Sequence, residues 1–396
     1  MNVDLYDSIE AIPADLWDGI SPTAWRTQSH ALWRVVEQSG LNDFAYRYAV
    51  LRDDAGTAVA AVAFYTITTD LAIFAPDWLR RLLGWIRRVM PGFLMVRMLE
   101  CGTPVTLTSP PFVIGDRLPA ERTVTEVARF LLTLARKERH FLLVVRDFES
   151  NADGLRPYLK ALGFHFVRSL PNTYLDIVWP SYDAYLAAMK SYFRSKVTKH
   201  MRRNEEAGVR HVLVDDFDDL AETLCRQWMV VHTQASEFQR EVLTETFYRR
   251  FSRELGADTK VLLFYRRDEL VGHALLLRDH ELLRWMYFGR EEAVNDSLYI
   301  YVGQTVIRTA IEMGANSIEM GLTTYPVKLD MGARVERLDL GLRAPSWIIN
   351  PFVGIGYSVM NTVPEIVARD VFKSGEAEAK RSRRTEATVP AEKAPS

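Results

Sequence analysis

The sequence lacks the features on which exported, metal-binding and membrane-spanning proteins depend. Its 396 residues include only two cysteines, Cys101 and Cys225, which are too few for a disulfide framework or a cysteine zinc site. No apolar run reaches the roughly 18 to 20 residues that span a bilayer, and the acidic N-terminal segment has no apolar stretch like that of a signal peptide. We therefore expect a protein of the reducing cytoplasm that is neither exported nor transmembrane.

A strong excess of charge and the common hydrolase motifs are also missing. The 49 basic and 51 acidic residues give a formal net charge of −2, so binding to nucleic acid or membrane would have to depend on local clusters. The eight histidines are scattered, and there is no Gly-x-Ser-x-Gly, His-Glu-x-x-His or Walker sequence. The sequence therefore argues against a metal-dependent or nucleophilic hydrolase, and we expect no metal site.

What the sequence does contain is an alternation of strand and helix patterns that occurs twice. With 48% hydrophobic residues, the chain is long enough to bury two cores. In the first half, two adjacent strands (44–53 and 56–68) precede a helix, a strand at 141–148 and a helix that ends at Gly163. In the second half, three strands within 259–290 precede a helix and the strand 316–322. The shared order predicts two copies of one α/β unit.

The two copies differ in length, and the difference predicts the domain boundaries. The first half is longer by about the size of residues 76–118, which we interpret as an insertion. We predict a first domain at 1–179, a second domain at 180–346, an apolar segment at 347–372 and a disordered tail at 373–396, which has almost no large apolar residue. Two unrelated α/β domains remain the alternative, because strand–helix–strand order is common.

Three stretches resemble one known family. They are "LRPYLKALGFHFVRSLPNTYLDI", "YDAYLAAMKSYFRSKVTKHMRRNEEAGVR" and "AIEMGANSIEMGLTTYPVKLDMGARV". Together they are similar to the FemAB-like and BioF2-like proteins, which have two tandem GNAT (acyl-CoA N-acyltransferase-like) domains. The resemblance implies an α/β (α+β) fold with mixed, mostly antiparallel sheets flanked by helices. It also implies transfer of an acyl or aminoacyl group to an amine acceptor.

The identity of the acyl donor stays open at this point. GNAT domains that bind coenzyme A usually have a glycine-rich loop before the long helix, whose N–H groups hold the pyrophosphate. Here that junction reads "FGREEAVNDSLYIYV", with two glutamates and no pair of glycines. The donor could therefore be acyl-CoA, an acyl carrier protein or an aminoacyl-tRNA, and the acceptor a small-molecule, cell-envelope or lipid-linked amine.

The resemblance points first to Lys328, which matches the lysine before the closing glycine turn of Fem-type proteins. There it implies a cation that faces an anionic substrate group or the tetrahedral intermediate. We expect Lys328 in an exposed loop after a strand, with its side chain over the cleft and Tyr325 beside it. Glu319 is the candidate general base if it is buried, because desolvation raises a carboxyl pKa. The alternative is a solvated lysine and a solvent-facing strand residue.

Further candidates lie on two central strands of the second unit. Gly272 would permit a β-bulge that frees an N–H for the developing oxyanion, and His273 is a weaker candidate base. Alternation along the next strand places Trp285 and Tyr287 on one face, where they could form an acceptor wall with a phenol for proton transfer. Each of these residues could equally be part of the core.

Two helical segments could contact partners. The basic helix 190–207 places Lys196, Lys199 and Arg203 along one side, which could bind tRNA, a carrier protein or a lipid-linked phosphate, or could simply be solvated. Residues 76–100 begin with apolar positions at helical spacing opposite four arginines, a pattern typical of a helix on an anionic membrane surface or of one docked on its own domain.

The resemblance favours an acyltransferase that forms an amide. Two other functions stay open: a coenzyme A-dependent BioF2-like acetyltransferase in small-molecule biosynthesis, and a non-catalytic module that recognises cell-wall anions.

Overall fold

The computed structural model describes residues 1–70, 77–90, 92–93, 95–105, 108–234, 241–292, 297–360 and 366–373. They form an α/β structure with two mixed, mostly antiparallel sheets, which confirms the predicted fold class. In each sheet one pair of neighbouring strands is parallel and the other principal pairs are antiparallel.

The first sheet is built mainly from the N-terminal half of the chain. In spatial order it contains β1 (Asn2–Tyr6), β2 (Ala45–Arg52), β3 (Ala58–Asp70), β4 (Met95–Cys101), β6 (Leu142–Phe148), β15 (Asp339–Arg343) and β7 (His165–Arg168), and the short β5 (Val113–Ile114) pairs with β3. The parallel pair is β4 with β6.

The second sheet repeats this order. It contains β14 (Arg334–Glu336), β8 (Asn172–Asp176), β13 (Ser317–Glu319), β12 (Leu282–Arg290), β11 (Glu269–Asp279), β10 (Thr259–Arg266) and β9 (Val209–Val214). The three strands expected within 259–290 are present, and their turns lie at Arg267 and His280, both in the left-handed conformation that tight hairpins require. The parallel pair is β12 with β13.

The two units exchange one strand each. β8 follows the first unit in sequence but lies between β13 and β14 of the second sheet, and β15 follows the second unit but lies between β6 and β7 of the first. The same place in the strand order is filled by the other unit in both sheets. This reciprocal exchange supports the prediction of a duplicated unit, and it means that neither sheet is complete without the other half of the chain.

Helices cover both faces of the two sheets. They are α1 (Ala14–Asp18), α2 (His30–Gln38), α3 (Asp77–Arg87), α4 (Ala120–Lys137), α5 (Arg156–Ala161), α6 (Tyr182–Ala188), α7 (Ser191–Glu206), α8 (Ala221–Gln234), α9 (Glu245–Leu255), α10 (Leu298–Glu312), α11 (Tyr325–Asp330) and α12 (Asn350–Met360). One apolar core joins α1, α2, α8 and α9 to both sheets. A second core packs α6, α7 and α10 on the outer face of the second sheet, and a third packs α4 on the first.

The structure corrects two expectations about the first half. The range 76–118 is not one insertion, because β4 lies inside it and belongs to the repeated strand order. The extra residues instead lie on either side of β4, where the second unit has only short connections. β8 belongs to the second sheet although the first domain was expected to run to residue 179.

The segments expected to contact membrane or solvent are described only in part. α3 lies between β3 and β4, and Trp85, Val89 and Met90 are exposed there. On α12, Phe352 and Ile355 are exposed. Among the described residues, no helix is both long and apolar enough to cross a bilayer, and no group of three metal-ligating side chains occurs. The predicted disordered tail, residues 373–396, lies outside the described residues except for Lys373.

The strand exchange predicts how the chain responds to truncation. A chain that ends at residue 338 lacks β15, so β6 and β7 lose their shared hydrogen-bonding partner and the first sheet is interrupted. We expect this variant to lose cooperative unfolding in a thermal melt followed by circular dichroism. A chain that ends at residue 373 keeps every described element and is the control. A cooperative melt of the shorter chain near the control temperature would show that the exchange is not required.

Candidate active site

The parallel strands β12 and β13 separate after three pairs of residues. Their ladder runs from Leu282 and Ser317 to Arg284 and Glu319, and no further pair is formed. Beyond Arg284, Met286 is an extra residue opposite β11, because Leu275 pairs with Tyr287 and Leu276 with Trp285. A bulge of this kind takes a residue out of the ladder and bends the strand. The second unit therefore has an opening in its sheet at this point.

The turn that closes this opening is strained. Gly321, Thr323 and Thr324 follow β13 and have φ angles of 76°, 62° and 48°. Left-handed backbone is uncommon for residues other than glycine and costly for a β-branched residue such as threonine. Two threonines of this kind in succession persist only where the surroundings hold them. Strain of this kind is concentrated at functional sites, which makes the turn a candidate for one.

Lys328 stabilises this turn through hydrogen bonds from its side-chain amine. Its Nζ donates hydrogen bonds to the carbonyl oxygens of Gly321 at 3.0 Å and Leu322 at 2.6 Å. The residue lies in α11 and its side chain is only 2% exposed, so the expectation of an exposed loop lysine was wrong. Burial lowers the pKa of Lys328 to about 7, although the nearby Glu319 acts in the opposite direction. The amine can therefore gain or lose its proton near neutral pH.

Glu319 is buried between the two units. Its Oε1 accepts hydrogen bonds from Thr108 Oγ1 at 2.8 Å and from Asn172 Nδ2 at 2.7 Å, and its Oε2 forms an ion pair with Arg284. The Arg284 guanidinium also contacts Asp279 at 2.9 Å and lies over the ring of Trp25. This network fixes the carboxylate in place. Such fixing suits a positioning role, and the role of Glu319 as general base stays a prediction.

Trp285 and Tyr287 do not form one wall. The bulge at Met286 interrupts the alternation, so Trp285 packs in the core beneath α10 while Tyr287 packs with α8 and α9 on the other face. Trp285 stacks on Tyr299 of α10 at 5.2 Å. The Tyr287 hydroxyl donates to Glu241 at 2.8 Å.

The remaining candidates, two on strands and Tyr325 on α11, have structural partners. His273 is fully buried between the Tyr248 hydroxyl and the Gln227 side chain, and burial lowers its pKa to about 3, so it is neutral at ordinary pH. Gly272 adjoins a register shift between β10 and β11, and a side chain there would approach the backbone oxygen of Gly289. The Tyr325 hydroxyl donates to the Pro171 carbonyl. Their proposed functional roles stay predictions.

The basic helix lies beside the N-terminal end of α10. His200 Nδ1 and Ser297 Oγ form a hydrogen bond of 2.8 Å where α10 begins. Burial lowers the pKa of His200, and Lys196, Lys199 and Arg203 lower it further. Lys196 is paired with Asp330 of α11, so its charge is already engaged. Lys199 and Arg203 are exposed and form no ion pair with any residue the structure describes.

Several residues of the inter-unit region were not identified from the sequence. Thr108, Asn172 and Arg284 surround Glu319, while Asp147 and Glu149 lie at the end of β6. The available signal was the "RDFES" sequence, in which charged residues directly follow a buried apolar strand. Nothing in the sequence indicated that this strand end faces the second unit.

Comparisons with known proteins agree with this geometry. Residues 191–329, which include β12, β13 and Lys328, match the family model of the acetyltransferase (GNAT) domain. The structure of FemX has a TM-score of 0.55 at 12% identity, and the match covers 86% of this chain and 97% of FemX. The chain has the fold of FemX, and its residues 191–329 match the acetyltransferase (GNAT) domain. A tandem GNAT protein from the clavulanic acid biosynthesis pathway has a TM-score of 0.50 at 13% identity, covering 87% of this chain and 99% of that protein.

A curated relative also matches this chain in sequence. It is a Mycobacterium tuberculosis protein with the provisional name 8-amino-7-oxononanoate synthase 2, 27% identical over 317 residues. The match covers 76% of this chain but only 40% of the relative. The predicted resemblance to FemAB-like and BioF2-like proteins is therefore confirmed for the fold.

The burial of Lys328 predicts a pH-dependent stability. Between pH 7 and 10.5 the unfolded chain binds a proton that the folded chain has lost, so the free energy of unfolding rises with pH by up to about 1.4 kcal/mol per unit. Lys328→Met removes this contribution. We expect the stability of the variant relative to the wild type to fall as pH rises from 7 to 9.5, measured by urea denaturation. The exposed Lys137→Met is the control, and parallel curves for Lys328→Met and wild type would contradict the assignment.

Proposed function

We propose that the chain is an N-acyltransferase that moves an acyl or aminoacyl group from an activated donor to an amine. The reaction centre is the opening between β12 and β13 of the second unit. The observation that carries this proposal is Lys328, buried beneath the strained turn at the point where the two strands separate. The match of residues 191–329 to the acetyltransferase domain family supports the same location.

The chemistry requires a place for charge and a route for a proton. The acceptor nitrogen bonds to the acyl carbon, the bond to the donor's leaving group breaks, and the nitrogen loses a proton. In the tetrahedral intermediate the former carbonyl oxygen is negative, and a cationic donor group stabilises it. Because its pKa is about 7, Lys328 can be a cation at neutral pH and can also give up its proton.

Replacement of Lys328 tests this role directly. If its ammonium stabilises charge that grows in the transition state, Lys328→Met should lower kcat by about 10²- to 10³-fold. The wild-type pH profile of kcat/KM should also show a limb near pH 7 that the variant lacks. Transfer is followed by mass spectrometry as the mass added to candidate amines.

Two controls separate catalysis from folding and from binding. Lys328→Arg keeps the charge and should recover part of the activity while removing the limb near pH 7, because arginine stays protonated. If Lys328 only binds an anionic substrate group, KM should rise with kcat unchanged. Full activity of a folded Lys328→Met protein would contradict the assignment.

The basic stripe on α7 favours a donor that carries phosphate. Lys199, His200 and Arg203 lie on one face of the helix, and His200 contacts Ser297 at the start of α10. Glu291, which the sequence placed near a phosphate site, instead pairs with Arg226 of α8. Cationic side chains beside a helix N-terminus form a suitable anion site. We therefore propose coenzyme A as the simplest carrier of the acyl group, with aminoacyl-tRNA and acyl carrier protein as the alternatives.

A pair of variants on one helix tests this donor site. Changing both Lys199 and Arg203 to Gln should weaken coenzyme A binding by 10-fold or more and flatten its dependence on salt. Arg202→Gln is the matched control, because Arg202 lies on the same helix but pairs with Glu206. Binding is measured by calorimetry at two salt concentrations. Equal losses in both proteins, or no loss in either, would assign the stripe to a solvated surface.

The acceptor is proposed more broadly as a small-molecule, cell-envelope or lipid-linked amine. The exposed Trp85, Val89 and Met90 near α3 are compatible with peripheral membrane contact. A BioF2-like acetyltransferase in small-molecule biosynthesis remains the alternative activity, and a non-catalytic anion-binding module is the alternative without catalysis. The activity in the name of the Mycobacterium tuberculosis relative is not assigned to this chain, which spans 40% of that protein.

A further inference from the structure

A half-enclosed cavity of about 220 Å³ lies between the two units. At about 30 Å³ per water molecule it has room for roughly seven waters, or for a small organic group. Both units line it: Trp25, Asp147 and Glu149 come from the first half of the chain, and Arg284 and Arg334 from the second. It lies on the Arg284 side of the network described above, and it contains none of the residues assigned to the reaction centre or the donor site.

The charges that line this cavity are not balanced. Arg284 is paired with Asp279 and Glu319, and Arg334 with Asp176 and Glu336, so both cations are already neutralised. Glu149 is mostly buried and accepts a hydrogen bond from the Tyr174 hydroxyl at 2.7 Å, but it forms no ion pair within the described part of the chain.

Asp147 is the more unusual of the two acids. It is 4% exposed, and its Oδ2 has no hydrogen-bond partner among the described residues. Its one ion-pair contact among the residues that the structure describes is Arg146, which lies at the long distance of 3.8 Å from Oδ1. The residue has a φ of 61°, so its backbone is held in the left-handed region. A buried carboxyl oxygen without a partner costs free energy unless a ligand completes it.

We propose that this cavity binds a primary ammonium group, held between the carboxylates of Asp147 and Glu149 with its organic part towards Trp25. An ammonium has three donors and a compact charge, which match the unpaired oxygen of Asp147 and the uncompensated charge of Glu149. The cavity contains none of the reaction-centre residues, so this ammonium is not the nitrogen that is acylated there. As a binding site the cavity stands independently.

The same two carboxyls predict a coupling between binding and proton release. Burial raises the pKa of Asp147 and of Glu149 to about 7 each. Neighbouring groups also shift these pKa values. For Asp147, Arg146 lowers the pKa, while Glu319 and Glu100 raise it. For Glu149, Glu319 raises the pKa, and it is lowered by Tyr174, Asn172 and Arg284. Arg334 and Glu336 line the same cavity as a pair. A bound ammonium favours the ionised carboxylates, so binding should release protons at pH 6 and strengthen as pH rises to 8.

The test is calorimetric binding of n-pentylamine, with 1-pentanol as the uncharged probe of similar size. The amine stays protonated throughout this range, because alkylamines have a pKa near that of lysine, about 10.4. We expect the amine to bind and the alcohol to bind at least 10-fold more weakly. At pH 6, titrations in two buffers of different ionisation enthalpy should show proton release that is lost at pH 8.5.

Isosteric variants locate the site. Asp147→Asn and Glu149→Gln should each weaken amine binding by 10-fold or more, and asparagine is compatible with the left-handed backbone at position 147. Ser150→Ala changes an uncharged residue that lines the cavity, and Asp54→Asn removes an exposed acid elsewhere. Both controls should bind the amine like the wild type. Thermal melts check that each variant is folded.

Each other outcome overturns the inference. No binding of the amine, equal binding of the alcohol, or unchanged binding in both folded acid variants would show that the cavity does not select an ammonium. No acyl donor is present in these titrations, so a failure to find transferase activity leaves the result unaffected. Conversely, activity that depends on Lys328 without amine binding in the cavity would support the proposed function and reject only this site.

Discussion

The strand exchange between β8 and β15 is the constraint on which the rest of the structure depends. Each sheet obtains one of its internal strands from the other unit, and an internal strand contributes hydrogen bonds to both neighbours. Independent motion of the two units would have to break these ladders. Elements from both halves that face one another are therefore held at fixed separation, which a flexible linker would not achieve.

This fixed separation allows charged groups to be buried between the units. The network of Arg284, Asp279 and Glu319 reaches Thr108 of the first half through hydrogen bonds. Buried ion pairs are often little better than apolar packing for stability, because desolvation cancels much of the attraction. Their benefit here is positional: they keep β12 and β13 in register up to the residue at which the two strands separate.

The features that sequence analysis predicted are those set by local patterns. The strands between 259 and 290 follow alternation and two clear turns, and the helix that became α10 follows an apolar period. The exchange of β8 was not predictable, because "NTYLD" has the same alternation whichever sheet it joins. The bulge at Met286 and the burial of Lys328 also left no pattern. Both depend on backbone groups brought close only by the complete fold.

The duplication places the two proposed sites at equivalent strand ends of the two units. In the second unit, Gly321 lies two residues beyond the last pair of the β12–β13 ladder and has a φ of 76°. In the first unit, Asp147 lies two residues beyond the last pair of the β4–β6 ladder and has a φ of 61°. A left-handed position thus occurs two residues beyond the parallel pair in both copies. In one copy it holds glycine above a buried lysine, and in the other it directs a carboxylate into the space between the units.

A left-handed position that glycine occupies without strain has been kept with aspartate, which tolerates that backbone better than most residues but not freely. Maintaining such a residue in a buried, incompletely paired setting costs stability, and packing between the exchanged units is what allows the first copy to retain it.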